Sequence, residues 1–254
     1  MKSLQGLPVL VTGGSRGLDL GLVEALVARK AKVTVISGGR GDLDAVADRL
    51  GVCILEADVT TPGVAEAVLR EVQPSVTILN AGSTQPMGSI HQMSWADSTK
   101  VWDQDMRAGL AWMQAAIRAP LPRGSRVLLG WSGAAIAGSS LSDGYAGAKR
   151  MIWLLATYGN GVSAEQNLGI RFQALLPQQI IGGTGVGDAE ASANAARKAL
   201  SSQDILATFG KPMDPETYGD FVAALLEDPA ADAGTALSSS GNGGIVAMDT
   251  EHSI

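Results

Sequence analysis

The sequence predicts a single α/β domain, a doubly wound parallel sheet of about seven strands with helices on both faces. Three observations predict it. Short β-branched runs alternate with longer helical patterns along the chain, a glycine-rich turn follows the first run, and no internal repeat or long linker divides the 254 residues. One domain of this length buries about three quarters of the surface that its unfolded chain exposes.

The elements follow in order. Leu7–Thr12 is a short apolar run, and the turn Gly13-Gly14-Ser15-Arg16-Gly17 opens a helical pattern over Leu18–Arg29. The second run, Lys32–Ser37, leads to a helix over Asp42–Leu50, and the third, Val52–Ala57, to one over Gly63–Val72. Ser75–Asn80 precedes the pattern Ser98–Ile117, and Ser125–Gly130 precedes Tyr145–Asn167. Ile170–Leu176 and Thr235–Ser239 complete the sheet, with helical patterns at Ala189–Leu200 and Pro215–Leu226 between them. The segment from Pro177 to Met213 is the longest interruption. Its glycines at 182, 183, 185 and 187 fit a mobile lid beside the strand ends.

Composition narrows the function. Charged residues are 17% of the chain, apolar residues 46%, and the net charge is −6. With no basic cluster, nucleic acid is not an expected partner. No apolar run reaches the about 20 residues needed to cross a bilayer, and Met1-Lys2-Ser3-Leu4-Gln5 lacks a signal-peptide core, so a cytoplasmic protein is expected. The one cysteine, Cys53, lies among Val52, Ile54 and Leu55 and reads as a buried structural thiol; no cysteine-rich metal site is expected. His91 and His252 are the only histidines and no Gly-x-Ser-x-Gly elbow occurs, which argues against a Ser-His-Asp hydrolase.

The chemistry-bearing residues fall into two groups. A glycine-rich turn between a strand and a helix leaves backbone N–H groups free for phosphate, and Gly13, Ser15, Arg16, Gly17 and Leu18 supply it. Asp58 and Val59 follow the third strand and Asn80, Ala81 and Gly82 the fourth, where an adenine and ribose would lie. The second group is Tyr145 and Lys149, four residues apart, with Ser132 thirteen residues before the tyrosine. Positions i and i+4 share a helix face, and a cation beside a phenol lowers its pKa from about 10.

These residues, in order and at this spacing over nearly the whole chain, resemble the short-chain dehydrogenase/reductase family. The resemblance implies a Rossmann-like fold and a nicotinamide cofactor. Tyr145 would then be the general acid/base, Lys149 would bind the nicotinamide ribose, and Ser132 would orient a carbonyl or alcohol. It also implies a homodimer or homotetramer assembled through the helices at Ser98–Ile117 and Tyr145–Asn167. The acid that selects NAD at the end of the second strand is replaced by Ser37, and no carboxylate follows until Asp42. Arg16 in the turn, with Arg40 nearby, suits a 2′-phosphate through its planar fork of donors. NADP is therefore the expected cofactor and NAD the other candidate. A ketone or secondary alcohol, uncharged and apolar, is the expected substrate.

Four positions depart from the family pattern. Asp19 replaces the third glycine of the turn, where a carboxylate 4 Å from a phosphate would cost up to about 4 kcal/mol at an effective dielectric of about 20. Asp105 aligns with the family's catalytic asparagine and offers a proton relay. Pro177 is followed by Gln178, Gln179 and Ile180, with Pro177 and Ile180 expected against the nicotinamide. Trp131 precedes Ser132 in place of a small residue. Asp19 sustains a second reading, a chain of this fold without hydride chemistry, acting as a lyase, isomerase or binding protein.

Overall fold

In a computed structural model of the chain, residues 3–248 are described, apart from 85, 131, 137, 233 and 242–244. Trp131 and His252 therefore lie outside the described residues. Strands β1 (Pro8–Thr12), β2 (Lys32–Ser37), β3 (Cys53–Glu56), β4 (Val76–Leu79), β5 (Arg126–Gly130), β6 (Arg171–Pro177), β7 (Ala236–Ser239) and β8 (Ile245–Met248) form one sheet in the order β3-β2-β1-β4-β5-β6-β7-β8. The first seven are parallel and β8 pairs antiparallel to β7. β8 is an addition to the seven strands expected. The chain reverses direction across the sheet between β1 and β4, and ligands of open parallel sheets bind beyond the carboxyl ends at such a point.

Alternating side chains divide the core in two. Leu10, Leu129, Phe172 and Leu176 face one layer, and Val9, Val11, Leu128 and Leu175 face the other. The first layer is covered by α3 (Val64–Val72), α5 (Arg107–Arg118) and α6 (Asp143–Glu165), and the second by α1 (Gly17–Ala28), α2 (Arg40–Leu50) and α9 (Pro215–Glu227). Among the described residues no helix is long and apolar enough to cross a membrane. Cys53 is exposed rather than buried. Its apolar neighbours suggested a core strand, but β3 is the edge of the sheet and few of its side chains are covered.

The expected helix at Ser98–Ile117 is three pieces. α4 (Trp95–Val101) starts earlier because the Ser94 hydroxyl accepts from the Asp97 backbone N–H at 3.1 Å, an N-cap. A π-turn follows over Trp102–Met106 before α5. The lid segment is helical as well, with α7 (Gly185–Lys198) capped by the Thr184 hydroxyl and α8 (Ser202–Ala207) packed on it through Ala191, Ala195 and Ile205.

α1 and α9 meet at glycines. A methyl group on Gly21 would fall 2.1 Å from the Pro215 carbonyl oxygen, and one on Gly219 would fall 2.3 Å from the Gly21 oxygen. Gly21→Ala is expected to lower stability by about 3 kcal/mol through overpacking. Gly41→Ala, in open space at the start of α2, should change it by less than about 0.5 kcal/mol. Denaturant melts of the two variants check this, and equal midpoints would show that the helices separate without cost.

Candidate active site

The glycine turn lies across the switch point. Gly13 has φ +80° and Gly17 φ +58°, a region that favours glycine. A side chain at Gly13 would meet the Ala81 Cα at 2.9 Å, and one at Gly14 would meet Val23 at 2.8 Å. The turn is thus pressed against the end of β4 while one face of it stays bare. Thr12 holds the two together: its Oγ1 accepts from the Asn80 and Ala81 backbone N–H groups at 3.0 and 3.1 Å. The sequence marks Thr12 as the end of a strand and the first residue of the glycine turn, without this bracing role.

A cavity of about 900 Å³ runs along this edge. Gly13, Ser15, Arg16, Gly17, Leu18 and Ser37 line one end, and Asp58, Val59, Asn80, Ala81 and Gly82 line the middle. The Ser15 hydroxyl donates to Ser37 Oγ at 3.3 Å, and Asp58 is held below its ordinary pKa by the backbone N–H and hydroxyl of Thr60. Arg16 is exposed at the rim. Arg40 is not brought to the site. It opens α2, pairs with Asp44 at 2.8 Å one turn on, and does not line the cavity. An i,i+4 acid on its own helix claims it.

Ser132, Tyr145, Lys149, Asp105, Pro177 and Ile180 gather at the other end. Gln178 does not line the cavity, and Gln179 spends its side chain holding neighbouring chain: it accepts from the Gly241 N–H at 2.6 Å and donates to the Lys211 oxygen at 3.3 Å. Tyr145 and Lys149 lie on one face of α6, with the ammonium 5.6 Å from the ring centroid. The Ser132 hydroxyl accepts from the Ala134 N–H at 3.3 Å and lies close enough to the Tyr145 phenol to lower its pKa. The π-turn swings Asp105 inward to 5% exposure, and a single extra residue in a helix often marks such a site. Its carboxylate pairs with Lys149 Nζ at 2.9 Å and accepts from the Ser83 N–H at 2.9 Å. Behind the pair, a pocket of about 20 Å³ is lined by Lys149, Asp105 and Trp112, room for about one water molecule.

The electrostatics differ from the expectation. Burial raises the Tyr145 pKa above its ordinary value; Lys149 and the Ser132 hydroxyl oppose this and are outweighed, with Glu190 and Asp105 adding to the rise. The cation acts in the expected direction, but Asp105 neutralises it at contact distance. Burial alone would lower the Lys149 pKa, and the Asp105 carboxylate reverses that and holds it raised. Tyr145 is a phenol at neutral pH.

Asp19, buried at 9% exposure, lies beside the turn and still lines the cavity. Asn80 Nδ2 donates to its Oδ1 in a short hydrogen bond, and its Oδ2 lies 3.1 Å from where a Gly13 side chain would begin. Burial pushes its pKa up to about 7, against the Asn80 bond and the Lys149 charge. The missing glycine has thus been replaced by an acid directed at the β4 end, and the bare face of the turn remains. A cradle that side chains would fill, leading into a long cavity that ends at Tyr145, fits a dinucleotide.

Some lining residues escaped the sequence, Glu190 on α7 among them. Starting that helix at Ala189 hides the turn that relates Glu190 to Val186; the observed start is Gly185.

No curated protein matches the chain significantly. Among solved structures, it is similar to a Serratia marcescens short-chain dehydrogenase/reductase, solved as a double mutant, at 21% identity and a TM-score of 0.76, covering 94% of this chain and 98% of that one. At that identity the likeness shows the fold, a Rossmann-like α/β sheet. The family model for short chain dehydrogenases matches residues 8–187, well over half of the sequence. The chain therefore belongs to the short-chain dehydrogenase family, which supports an oxidoreductase acting on a small molecule with NAD or NADP.

Proposed function

We propose that the protein is an NADP-dependent oxidoreductase that interconverts a ketone and a secondary alcohol, with Tyr145 as general acid/base. The observation that carries this reading is the set of half-buried Ser132 with buried Tyr145, Lys149 and Asp105, all lining a cavity that also takes in the glycine cradle. The nicotinamide, when bound, supplies or accepts the hydride. Gly13, Ser15 and Gly17 would hold the phosphates, Asp58 and Val59 the adenine, Asn80 to Gly82 the adenine ribose edge, and Lys149 with Pro177 and Ile180 the nicotinamide end.

In reduction, Ser132 donates a hydrogen bond to the carbonyl oxygen and Tyr145 gives its proton to the oxygen as negative charge develops there. Lys149 offsets the charge left on the phenolate, and Asp105 keeps the ammonium in place. The pocket behind Lys149 and Asp105 offers one water a position from which to return a proton. Trp102 and Tyr158, exposed on the π-turn and α6, support a homodimer or homotetramer formed on that side.

NADP is favoured by Ser37 and Arg16, since β2 ends on a serine rather than an acid and an arginine lies exposed at the cavity rim. Titration of the purified protein by nicotinamide fluorescence is expected to give micromolar NADPH binding, tighter than NADH by about tenfold or more, the effect of one charge-assisted contact. Ser37→Asp should reverse that order, since a carboxylate there repels a 2′-phosphate and accepts from ribose hydroxyls. Equal binding of both nucleotides, unmoved by Ser37→Asp, overturns the NADP assignment. A second reading rests on the buried Asp19: a chain that no longer holds the nucleotide and uses Ser132 and Tyr145 without hydride transfer. Absence of binding by either nucleotide up to millimolar concentration would favour it.

A further inference from the structure

The substrate end of the cavity holds a carboxylate that neither the fold nor the proton path uses. Glu190 lies one turn after Val186 on α7, so the two share a face, and Val186 packs against the group formed by Tyr145, Val101 and Ala148. The other buried face of the helix, Ala191 and Ala195, packs on Ile180 and Ile205. The register of α7 therefore turns Glu190 toward Tyr145, near enough for its charge to raise the phenol's pKa. The backbone oxygen of Glu190 accepts from Asn194 Nδ2 at 3.0 Å. Its carboxylate has no hydrogen-bond or ion-pair partner among the described residues, and burial with nothing to offset it raises its pKa.

Glu190 is half-buried, and a carboxylate partly removed from water without a partner costs free energy unless it gains a proton or a cation. Apart from it, the lining beyond Tyr145 is uncharged: Thr84, Ser132, Gln179, Ile180, Ile181 and Val186. Lys149, which lines the same cavity, is already paired with Asp105. An acid with no structural partner, held on a rigid helix face above the proton donor, is placed for something that enters the cavity.

We propose that Glu190 recognises the substrate, which is an amino ketone or amino alcohol whose ammonium pairs with this carboxylate while its oxygen meets Ser132 and Tyr145. This replaces the expectation of an uncharged substrate. The oxygen end rests on the oxidoreductase reading; the ammonium end does not.

The test therefore has two parts. Calorimetry would compare n-butylammonium with n-butanol on the native protein and on Glu190→Gln. The ammonium is expected to bind about tenfold more tightly to the native chain, and the variant to lose that difference. Turnover with NADPH would then compare a β-dimethylamino ketone with its carbon isostere, expecting a preference of similar size for the amino ketone that Glu190→Gln removes. Equal binding of both probes to the native protein, or a preference that survives in Glu190→Gln, overturns the proposal. So does a variant changed only in NADP⁺ affinity, which would give Glu190 to the cofactor. Turnover of both ketones without preference also overturns it and leaves the oxidoreductase reading standing. Glu190-dependent ammonium binding without turnover of either ketone supports the Glu190 site and sinks the hydride-transfer reading instead.

Discussion

Tyr145→Phe is expected to lower ketone turnover by about 10²–10⁴-fold, the usual contribution of a positioned general acid, while NADPH affinity stays within about threefold. The ring is buried at 5% exposure and packs with Val101 and Ala148, so phenylalanine keeps the contacts and removes only the hydroxyl. That hydroxyl is the group that Ser132 acts on. Because burial holds the phenol above its ordinary pKa, the acid form persists throughout the neutral range. Reduction, which uses the protonated phenol, should therefore stay flat through neutral pH, and alcohol oxidation, which needs the phenolate, should climb as pH rises. Steady-state rates in both directions across pH, for native and variant protein, check both statements. Near-native turnover by Tyr145→Phe would remove the tyrosine from the proton transfer.

Much of the fold is written in local pattern. β1, β2 and β5 fall within one residue of the apolar runs that announce them, because buried parallel strands are nearly continuous in apolar residues and glycine or proline bounds them. The glycine turn and the Tyr145, Lys149 pair are likewise set by nearest neighbours, and the tertiary fold brings them to one cavity without altering either. What periodicity misses is what depends on distant chain. The π-turn at Trp102–Met106 has no 3.6-residue signature, yet it is what aims Asp105 at Lys149. The sign of the Tyr145 shift is set first by burial, with Glu190 and Asp105 adding to it, and burial under distant chain has no local signature. Cys53 sits in a run that reads as core, and only the strand order reveals an edge. Arg40 is drawn to Asp44 by its own helix, a competition visible in the spacing of the two residues but not in the family pattern.

Asp19→Gly is expected to raise NADPH affinity at pH 8 by up to about tenfold and to leave it nearly unchanged at pH 6. The reasoning starts from the folded pKa of about 7, lifted from 3.8 by burial. The sign for folding follows: a raised carboxyl favours the fold in its neutral form below its unfolded pKa, and that contribution is lost as pH rises through about 7. The span corresponds to a loss on the order of 4 kcal/mol. Phosphate brought to the turn pushes the same equilibrium further toward the neutral acid, since like charges repel in a poorly hydrated site. Nucleotide binding then carries a proton with it, and affinity falls by up to about tenfold for each pH unit above the Asp19 pKa. Titrating native protein and Asp19→Gly side by side isolates this effect, because the ionisation of the 2′-phosphate is common to both and cancels in their ratio. A ratio that grows from pH 6 to pH 8 means that Asp19 makes cofactor capture conditional on its proton. A ratio near one at every pH means that the Asn80 bond and the Lys149 charge shield the phosphates fully, and the second reading then loses its main support. Native protein that fails to bind at any pH, with binding recovered in Asp19→Gly, would instead establish that this one carboxylate has taken the chain out of hydride chemistry.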